Sequence, residues 1–309
     1  MGLSRRILLA LSENPWLRTR APEWWFVRKA TTRFMPGYTF RDAMSAAHAL
    51  HQHGIGAVFT ELGENVSTHE SAEIVTQHYA DAFAALAGSN LRYDVSVKPT
   101  QLGLDVDGER CYWNVRRLVE IARAQRAHVW IDMEHHAYVD RTLAIYRRLV
   151  SEFPNVGVCL QAYLYRTRND LQSLLPLGGG IRLVKGAYRE PPHVAYPRKR
   201  DVDANFILLA GLMLEAGRHA TPRLVFGTHD PNMVNAIVRR AEQTKLRSDA
   251  FEFHLLFGIQ RAQQIRLARE GYHVSVLISY GDQWFPWYMR RLAERPANVL
   301  FVAKSMFSS

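Results

Sequence analysis

The feature that most limits the fold of this chain is a regular alternation of short apolar runs with longer segments of helical periodicity. A short apolar run bounded by turn residues is typical of a buried strand, and a helix after each run is typical of parallel strands joined by crossovers. The runs are Ala57–Thr60, Asp94–Lys98, His128–Asp132, Gly157–Gln161, Ile181–Lys185, Arg223–Thr228, Phe251–His254 and Val274–Ile278. The sequence therefore predicts eight parallel strands.

The segments between these runs predict the helices. They lie near Ser67–Ala87, Arg110–Arg126, Ala137–Glu152, Asn169–Leu175, Asp203–His219, Asn232–Thr244 and Ile259–Arg269, with a last helix over Trp284–Arg295. This repeated alternation favours an α/β fold, a (βα)8 barrel of the TIM type. A doubly wound open sheet is the alternative, but no Gly-x-Gly-x-x-Gly follows the first strand, which weakens it.

The residues before the barrel are aromatic and basic and predict a helical arm. We expect a single domain, 1–309, with residues 1–54 as the arm and residues 55–309 as the barrel. Asp42–His53 predicts a helix that Gly54 ends. The aromatic residues of the arm would either pack on their own domain, the commoner outcome, or contact a membrane surface.

Composition limits the compartment and the class of ligand. The net charge of +10 favours anionic substrates, nucleic acid or an anionic membrane surface without choosing among them. The two cysteines, Cys111 and Cys159, lack the spacing of a metal site, which fits a reducing, cytoplasmic compartment. The apolar run within Met1–Leu11 is too short for a signal peptide, and no apolar run reaches the roughly 20 residues that span a bilayer.

Polar side chains recur where the predicted strands end, and the catalytic residues of a barrel collect at those carboxyl ends. The polar residues that end an apolar run from inside it are Lys98, Asp132, Gln161 and Arg182. Others lie at or just after a strand end: Glu61, Glu134, Tyr163, Thr228, His229, Asp230, Glu252 and His254. Some of these belong to the solvated rim of any barrel, but their recurrence favours a functional site at this end.

The segment Gly178–Glu190 carries the strongest local signal for a ligand. Its glycines lead into a short apolar strand that Arg182 and Lys185 interrupt. Gly186 and Ala187 then leave the backbone open to close approach. Because cations on a buried strand need partners, two interpretations stay open: solvated cations at a strand end, or an anionic or electron-rich ligand lying across that end.

The tripeptide Glu134-His135-His136 offers metal-ligating groups after the third strand. Adjacent histidines are expected to point in different directions, and neither a His-x-x-x-His pair nor a cysteine supports them. The sequence therefore predicts no metal site.

The last predicted helix holds a second strong signal in Arg290 and Arg291. Consecutive residues lie about 100° apart around a helix, and Glu294 is within ion-pair reach of both arginines. The segment is either a solvated helix face or a clamp for a carboxylate in which Glu294 holds one guanidinium in place. Arginine suits a carboxylate better than lysine does, because its planar guanidinium can donate two parallel hydrogen bonds to the two carboxylate oxygens.

Two segments, Ile181–Tyr188 and Tyr288–Glu294, combine with weaker ones in a fixed order. The weaker segments are Val95–Lys98, Ile131–Asp132, Val158–Tyr163, Thr228–Asp230 and Phe251–Gly258. In this order, from about Lys98 to the C-terminus, the chain resembles the proline dehydrogenase family, and its length resembles the small monofunctional bacterial form.

The resemblance implies a distorted (βα)8 barrel that binds FAD without a Rossmann fold and carries its last helix over the barrel mouth. It implies that Arg182 lies near the flavin N5 and Gln161 near the pyrimidine side. The other cofactor-binding residues that it implies are Met133, Val184, Lys185, Gly186, Ala187, Thr228 and His229.

The resemblance also implies oxidation of L-proline to 1-pyrroline-5-carboxylate by hydride transfer to flavin N5, the first step of proline catabolism. The implied substrate-binding residues are Arg290, Arg291 and, in support, Glu294, with Lys98, Asp132, Tyr188 and Leu256 completing the pocket. Arg182 and Asp132 are the implied catalytic residues. A cation near N5 favours the reduced flavin, whereas Asp132 is a candidate base that more readily serves to orient Arg or Lys.

The family passes its electrons to a membrane quinone. The resemblance therefore implies a cytoplasmic protein that contacts the inner membrane peripherally, and a handover of product to a pyrroline-5-carboxylate dehydrogenase. The basic charge and the aromatic arm would serve that contact.

One departure from the family concerns strand eight, where a Tyr usually packs on the proline ring. Leu277 stands at that place, with Tyr280 as a substitute nearby. Hydroxyproline or a related cyclic amino acid is therefore an alternative substrate. A phosphate-binding barrel enzyme of another class is a further alternative, whereas a nucleic-acid binder is disfavoured because Lys and Arg are spread along the chain and no binding motif occurs.

Overall fold

The structure, a computed structural model, describes residues 34–218 and 222–294 together with Asn14, Trp16, Arg20 and Thr31; at 291, 293 and 294 it describes the backbone alone. Most of the predicted arm lies outside the described residues. Its last part forms helix α1 (Phe40–His51), which begins at a capping box: the Asp42 amide donates to the Thr39 hydroxyl, and the Thr39 amide donates to the Asp42 carboxylate. Such a pair satisfies two amides that the first turn would leave unbonded.

The eight predicted strands form one closed barrel, β1 to β8 in sequence order and all parallel. The barrel closes where β1 pairs with β8, with Gly56 opposite Ser275 and Glu61 opposite Tyr280. The prediction of a (βα)8 barrel is thus confirmed. The strands are β1 (Gly56–Glu61), β2 (Tyr93–Val97), β3 (Val129–Ile131), β4 (Val156–Gln161), β5 (Gly180–Val184), β6 (Leu224–Gly227), β7 (Phe251–Leu256) and β8 (His273–Tyr280).

A helix follows each strand, as the sequence predicts. These are α2 (His69–Leu86), α3 (Gly108–Ala124), α4 (Val139–Val150), α5 (Thr167–Leu174), α6 (Lys199–Ala216), α7 (Pro231–Gln243), α8 (Arg261–Arg269) and α9 (Phe285–Glu294). Short 3-10 turns precede α4 (His136–Tyr138) and follow α5 (Leu175–Leu177). Within the described residues, no helix combines the length and apolarity that a bilayer crossing requires.

The barrel interior is filled around Trp130, which is fully buried. Its indole fits because two neighbouring strand positions are glycines: a Cβ on Gly157 would lie 2.5 Å from the ring, and one on Gly180 would lie 2.9 Å from it. The guanidinium carbons of Arg182 and Arg223 lie 5.0 and 5.3 Å from the ring centroid, so cation–π contacts help to hold these buried charges.

Helix α9 packs against loops that follow the carboxyl ends of β1 and β7. It forms an apolar cap with these loops and with the residues just before α1. The buried members of this cap are Phe34, Met35, Leu62, Ile259, Trp284, Phe285, Trp287, Tyr288, Met289 and Leu292. Burial of this side of the helix stabilises its position over the barrel mouth.

Candidate active site

A buried ionic network stands at the centre of the mouth. Arg182, on β5, is 4% exposed. One of its nitrogens donates to Asp132 Oδ1 at 2.5 Å and to Ser96 Oγ at 2.7 Å, while Nε donates to Cys159 Sγ at 2.8 Å. Lys98 Nζ lies 3.8 Å from the other oxygen of Asp132. The structure thus brings together three side chains that the sequence identifies as strand-end groups, and they are paired rather than solvated.

The charge state of Asp132 follows from these neighbours. Burial opposes ionisation, but the positive charges of Arg182 and Lys98 and the hydrogen bond from Ser96 outweigh it, and they hold the pKa of the carboxyl below its ordinary value. An ionised carboxylate held by two cations is a weak proton acceptor at neutral pH. The geometry therefore favours Asp132 as a group that orients Arg182 and Lys98.

Arg290 reaches the mouth from α9. It donates to both carboxylate oxygens of Glu64, in the loop after β1. Its guanidinium carbon lies 5.0 Å from the ring centroid of Tyr188, whose hydroxyl donates to Glu64 at 3.2 Å. The pKa of Glu64 stays below its ordinary value because Arg290 and Lys98 together outweigh the cost of burial. Arg290 is thus placed at the mouth, not on an outer helix face.

Glu64 is a residue that the sequence reasoning missed. The partner expected for the arginines was Glu294, but the carboxylate that binds Arg290 here lies 226 residues away in sequence. The side chains of Arg291 and Glu294 lie outside the described residues, so the twin clamp and the support by Glu294 stay predictions. In the sequence, only the position of Glu64 three residues after the end of β1 hints at its role.

Gln161, at the end of β4, presents an unused acceptor. Its amide nitrogen donates to the backbone oxygens of Met133 and Glu134 at 3.0 and 3.1 Å. Its buried Oε1 has no hydrogen-bond partner among the described residues. A ligand with an N–H group, such as the pyrimidine edge of a flavin, would satisfy that oxygen.

The β5 loop passes close to its neighbours at Gly186. The backbone there has φ +107°, and a Cβ would lie 2.2 Å from the ring of Tyr163, so only glycine fits. Val184, Lys185 and Ala187 flank it and are partly buried. Such a bare backbone segment beside a buried cation suits a flat ligand.

The remaining predicted cofactor residues line the next part of the rim. Lys185 Nζ lies 2.8 Å from a carboxylate oxygen of Asp203 and 3.5 Å from one of Asp230. The Thr228 hydroxyl accepts from the Asp230 amide at 3.2 Å, and His229 Nε2 accepts from the Leu256 amide at 3.3 Å. These contacts connect side chains that follow β5 and β6 with one another and with the end of β7.

Glu134 is a second buried acid of the mouth. Its carboxylate accepts from the Thr100 amide at 3.0 Å and from the Thr100 hydroxyl at 2.6 Å. Burial, the largest effect, raises its pKa to about 7. The sequence offers this residue as a metal-ligating group but predicts no metal site, and its contacts make it an anchor for the loop after β2.

Strand β8 decides which residue faces the interior. Leu277 packs in the interior group with Val58 and Trp130. Tyr280 points the other way: its ring packs on Phe40, and its hydroxyl lies 3.0 Å from His78 Nε2. Tyr280 therefore does not take the place of a ring inside the barrel, because residues three positions apart on a strand face opposite sides.

The family model and the similar proteins that match this chain carry the same description. The family model described as Proline dehydrogenase matches residues 43–304. Proline dehydrogenase 1 of Bacillus subtilis subsp. natto is 35% identical over 302 residues, which cover 98% of each chain. Proline dehydrogenase of Deinococcus radiodurans is 36% identical over 310 residues, again 98% of each chain.

Among solved structures, proline utilization A (PutA) from Bdellovibrio bacteriovorus, inactivated by N-propargylglycine, superimposes with a TM-score of 0.79 at 22% identity. The match covers 94% of this chain and 36% of that one, so the chain spans about a third of that protein. A PutA structure with proline bound in remote sites gives a TM-score of 0.74. At this identity the likeness establishes a shared barrel fold.

Proposed function

The chain belongs to the proline dehydrogenase family, and on this premise we propose that it oxidises L-proline to 1-pyrroline-5-carboxylate with FAD as its cofactor. One observation carries the proposal most strongly. Arg182 is buried and paired with Asp132, whose other oxygen faces Lys98, while Arg290 of the covering helix lies against Tyr188. That arrangement suits an amino acid held between a carboxylate-binding guanidinium and a flavin.

The residues present fit the cofactor. Gln161 offers a buried acceptor in need of a donor, and Gly186 leaves the backbone bare. Val184, Lys185, Ala187, Met133, Thr228 and His229 would complete the cofactor site. When bound, FAD would supply the two-electron acceptor for a hydride from the substrate Cδ. Arg182 would favour the electron-rich reduced form, because its charge is fixed in place by Asp132 and needs no reorganisation.

Substrate binding falls to the opposite side of the pocket. Arg290 and Arg291 would hold the proline carboxylate, and that carboxylate would compete with Glu64 for Arg290. Tyr188, Lys98 and Leu256 would cover the rest of the ring, with Glu294 as support for the arginines. Asp132 would act as a positioning residue for Arg182 and Lys98, since its lowered pKa makes it a poor base.

The cellular setting is also part of the proposal. We propose a single domain, a quinone as the electron acceptor, and peripheral contact with the inner membrane from the cytoplasmic side. The net charge of +10 supports attraction to anionic lipid. A pyrroline-5-carboxylate dehydrogenase would take over the product.

A second candidate substrate is 4-hydroxyproline. Leu277 faces the interior where a larger ring is common in the family, and Tyr280 faces away. The smaller side chain supports room for a ring substituent.

The decisive experiment is anaerobic reduction of the bound flavin. We expect purified protein to be yellow, and L-proline to bleach it faster than trans-4-hydroxy-L-proline does at equal concentration. Faster bleaching by trans-4-hydroxy-L-proline would favour 4-hydroxyproline as the substrate. A colourless protein that takes up no flavin on reconstitution would refute both.

A further inference from the structure

Glu190, in the loop after β5, is a carboxylate without a guanidinium or ammonium partner in the described part of the chain. Its side chain is 0% exposed. The His136 amide donates to Oε1 at 2.8 Å, and the Tyr163 hydroxyl donates to the same oxygen at 3.3 Å. Among the described residues, His135 and His136 alone provide partners within 4.0 Å that can carry a positive charge. A cation beside a buried carboxylate offsets part of its desolvation cost, and the two imidazoles lie where such a cation would be held.

The expectation that the two adjacent histidines point in different directions is wrong. His135 has extended backbone (φ −62°, ψ 151°), and His136 is the first residue of the 3-10 turn. Because of this change in backbone conformation, the two rings lie on the same side, with their centroids 4.2 Å apart. His135 uses Nε2, which lies 3.3 Å from Glu190 Oε2, and His136 uses Nδ1, which bonds the same oxygen. These three atoms all lie within 4.8 Å of one another.

We propose that His135, His136 and Glu190 form a binding site for a divalent transition metal, with Zn²⁺ as the preferred ion. Two imidazoles and one carboxylate are a known three-residue set for zinc. Ligand atoms around a tetrahedral zinc lie about 3.3 Å apart, given bonds of about 2.0–2.2 Å. The distance from His135 Nε2 to Glu190 Oε2 equals that value. The ion would replace the proton between His136 Nδ1 and Glu190 Oε2, which would be released to solvent because zinc ligands bind deprotonated, and these two atoms would move apart to hold the ion.

The donor set also decides the class of ion. Two nitrogen ligands disfavour Mg²⁺ and Ca²⁺, which prefer oxygen. The rings of His135 and His136 are 40% and 31% exposed, so a water can complete the coordination from the solvent side. The sequence pattern hid the site because the third ligand lies 54 residues after His136.

The ion would join two loops of the barrel mouth. His135 and His136 follow β3, and Glu190 follows β5. Tyr163 of the β4 loop lies against Gly186 and donates its hydroxyl to Glu190. Zinc has no redox chemistry of its own in proteins. Its role would be to fix these loops, one of which carries Met133 and the other Lys185.

The test measures metal binding directly on untagged protein, stripped with a chelator and titrated with Zn²⁺ by calorimetry. We expect one tight site per chain. His135→Ala and Glu190→Gln should each weaken it by at least 10- to 100-fold, the range caused by losing even an outer partner of a ligand. His51→Ala, which removes an exposed histidine of α1, should leave affinity unchanged. No binding, or binding that survives both ligand variants, would overturn the proposal.

A second measurement separates loss of the site from loss of fold. Thermal unfolding with and without Zn²⁺ should give a higher Tm with the metal in the wild-type protein, because an ion that binds the native state stabilises it. Without metal, His135→Ala should unfold at the wild-type temperature, since that ring is partly exposed, and Zn²⁺ should no longer raise its Tm. An equal Tm rise in wild type and variant would contradict the assigned ligands.

Discussion

At the scale of single residues, Arg290 is the side chain whose partner should change during turnover. Its guanidinium is occupied by Glu64 in the structure. In Arg290→Ala a charge-assisted contact worth about 1.5–3 kcal/mol is lost, so we expect the KM for L-proline to rise roughly 10- to 150-fold. Arg290→Lys keeps the positive charge but loses the planar, two-pronged guanidinium, so its KM should lie between those of the wild type and Arg290→Ala. Steady-state kinetics with a soluble quinone analogue measures both.

The matched control is Arg266→Ala on α8, where an exposed arginine pairs with Glu270 one helical turn away. Such surface pairs contribute little, so its KM should equal that of the wild type. An unchanged KM in Arg290→Ala would remove this residue from the substrate site.

Glu134 gives a residue-scale prediction about pH. Burial raises the pKa of its carboxyl from 4.5 to about 7. Between these values the folded protein holds a proton that the unfolded chain releases, so the contribution of Glu134 is full below pH 4.5 and is lost as pH rises through about 7. The loss amounts to about 3 kcal/mol. We expect the stability difference between wild type and Glu134→Gln to fall by that amount across this range.

The free energies of unfolding of wild type and Glu134→Gln must be compared at each pH, because His254 changes stability with pH in the opposite direction. Burial lowers the pKa of its ring from 6.5 to about 4, so the unfolded chain binds the extra proton and stability rises with pH over that interval. Urea unfolding of both proteins at several pH values cancels the histidine contribution. A pH-independent difference would show that Glu134 titrates alike in folded and unfolded chains.

At the scale of elements, the sequence was sufficient for the strands and helices and for most strand-end groups. Each predicted strand overlaps its observed counterpart, because a parallel strand covered on both faces leaves a continuous apolar run. Arg182 and Asp132 were found in the same way. Glu64 and Glu190 were not, since a loop carboxylate gains its role from partners that only the closed barrel brings near, and no local period records them.

Replacing a glycine with alanine should have opposite effects on stability in strand β4 and in helix α6. In Gly157→Ala the new Cβ would lie 2.5 Å from Trp130 inside the barrel, so overpacking should cost about 1–3 kcal/mol. In Gly211→Ala, on α6, the nearest atom lies 3.9 Å away, and the gain in helix propensity should stabilise by about 0.5–1 kcal/mol. Denaturant unfolding should therefore give opposite signs. Equal effects would mean that the interior accommodates the methyl group.

At the scale of the whole molecule, the excess of positive charge has a consequence that can be measured. The chain carries 39 Lys and Arg against 29 Asp and Glu. Many of the described cations are already paired, as Arg148 is with Glu109 and Arg166 with Asp170. The net charge of +10 is what remains after all opposite charges are counted; it acts at long range and is screened within about 10 Å at 0.1 M salt.

We therefore expect the protein to sediment with anionic phosphatidylglycerol vesicles and not with neutral phosphatidylcholine vesicles. Because each basic residue near an anionic surface contributes about 1 kcal/mol at most, binding should weaken steeply when salt is raised to several tenths molar. Binding that persists at high salt would point to apolar insertion by aromatic side chains instead of charge. No sedimentation with either lipid, with and without L-proline, would contradict a peripheral membrane role and leave the proposed quinone acceptor without support from membrane contact.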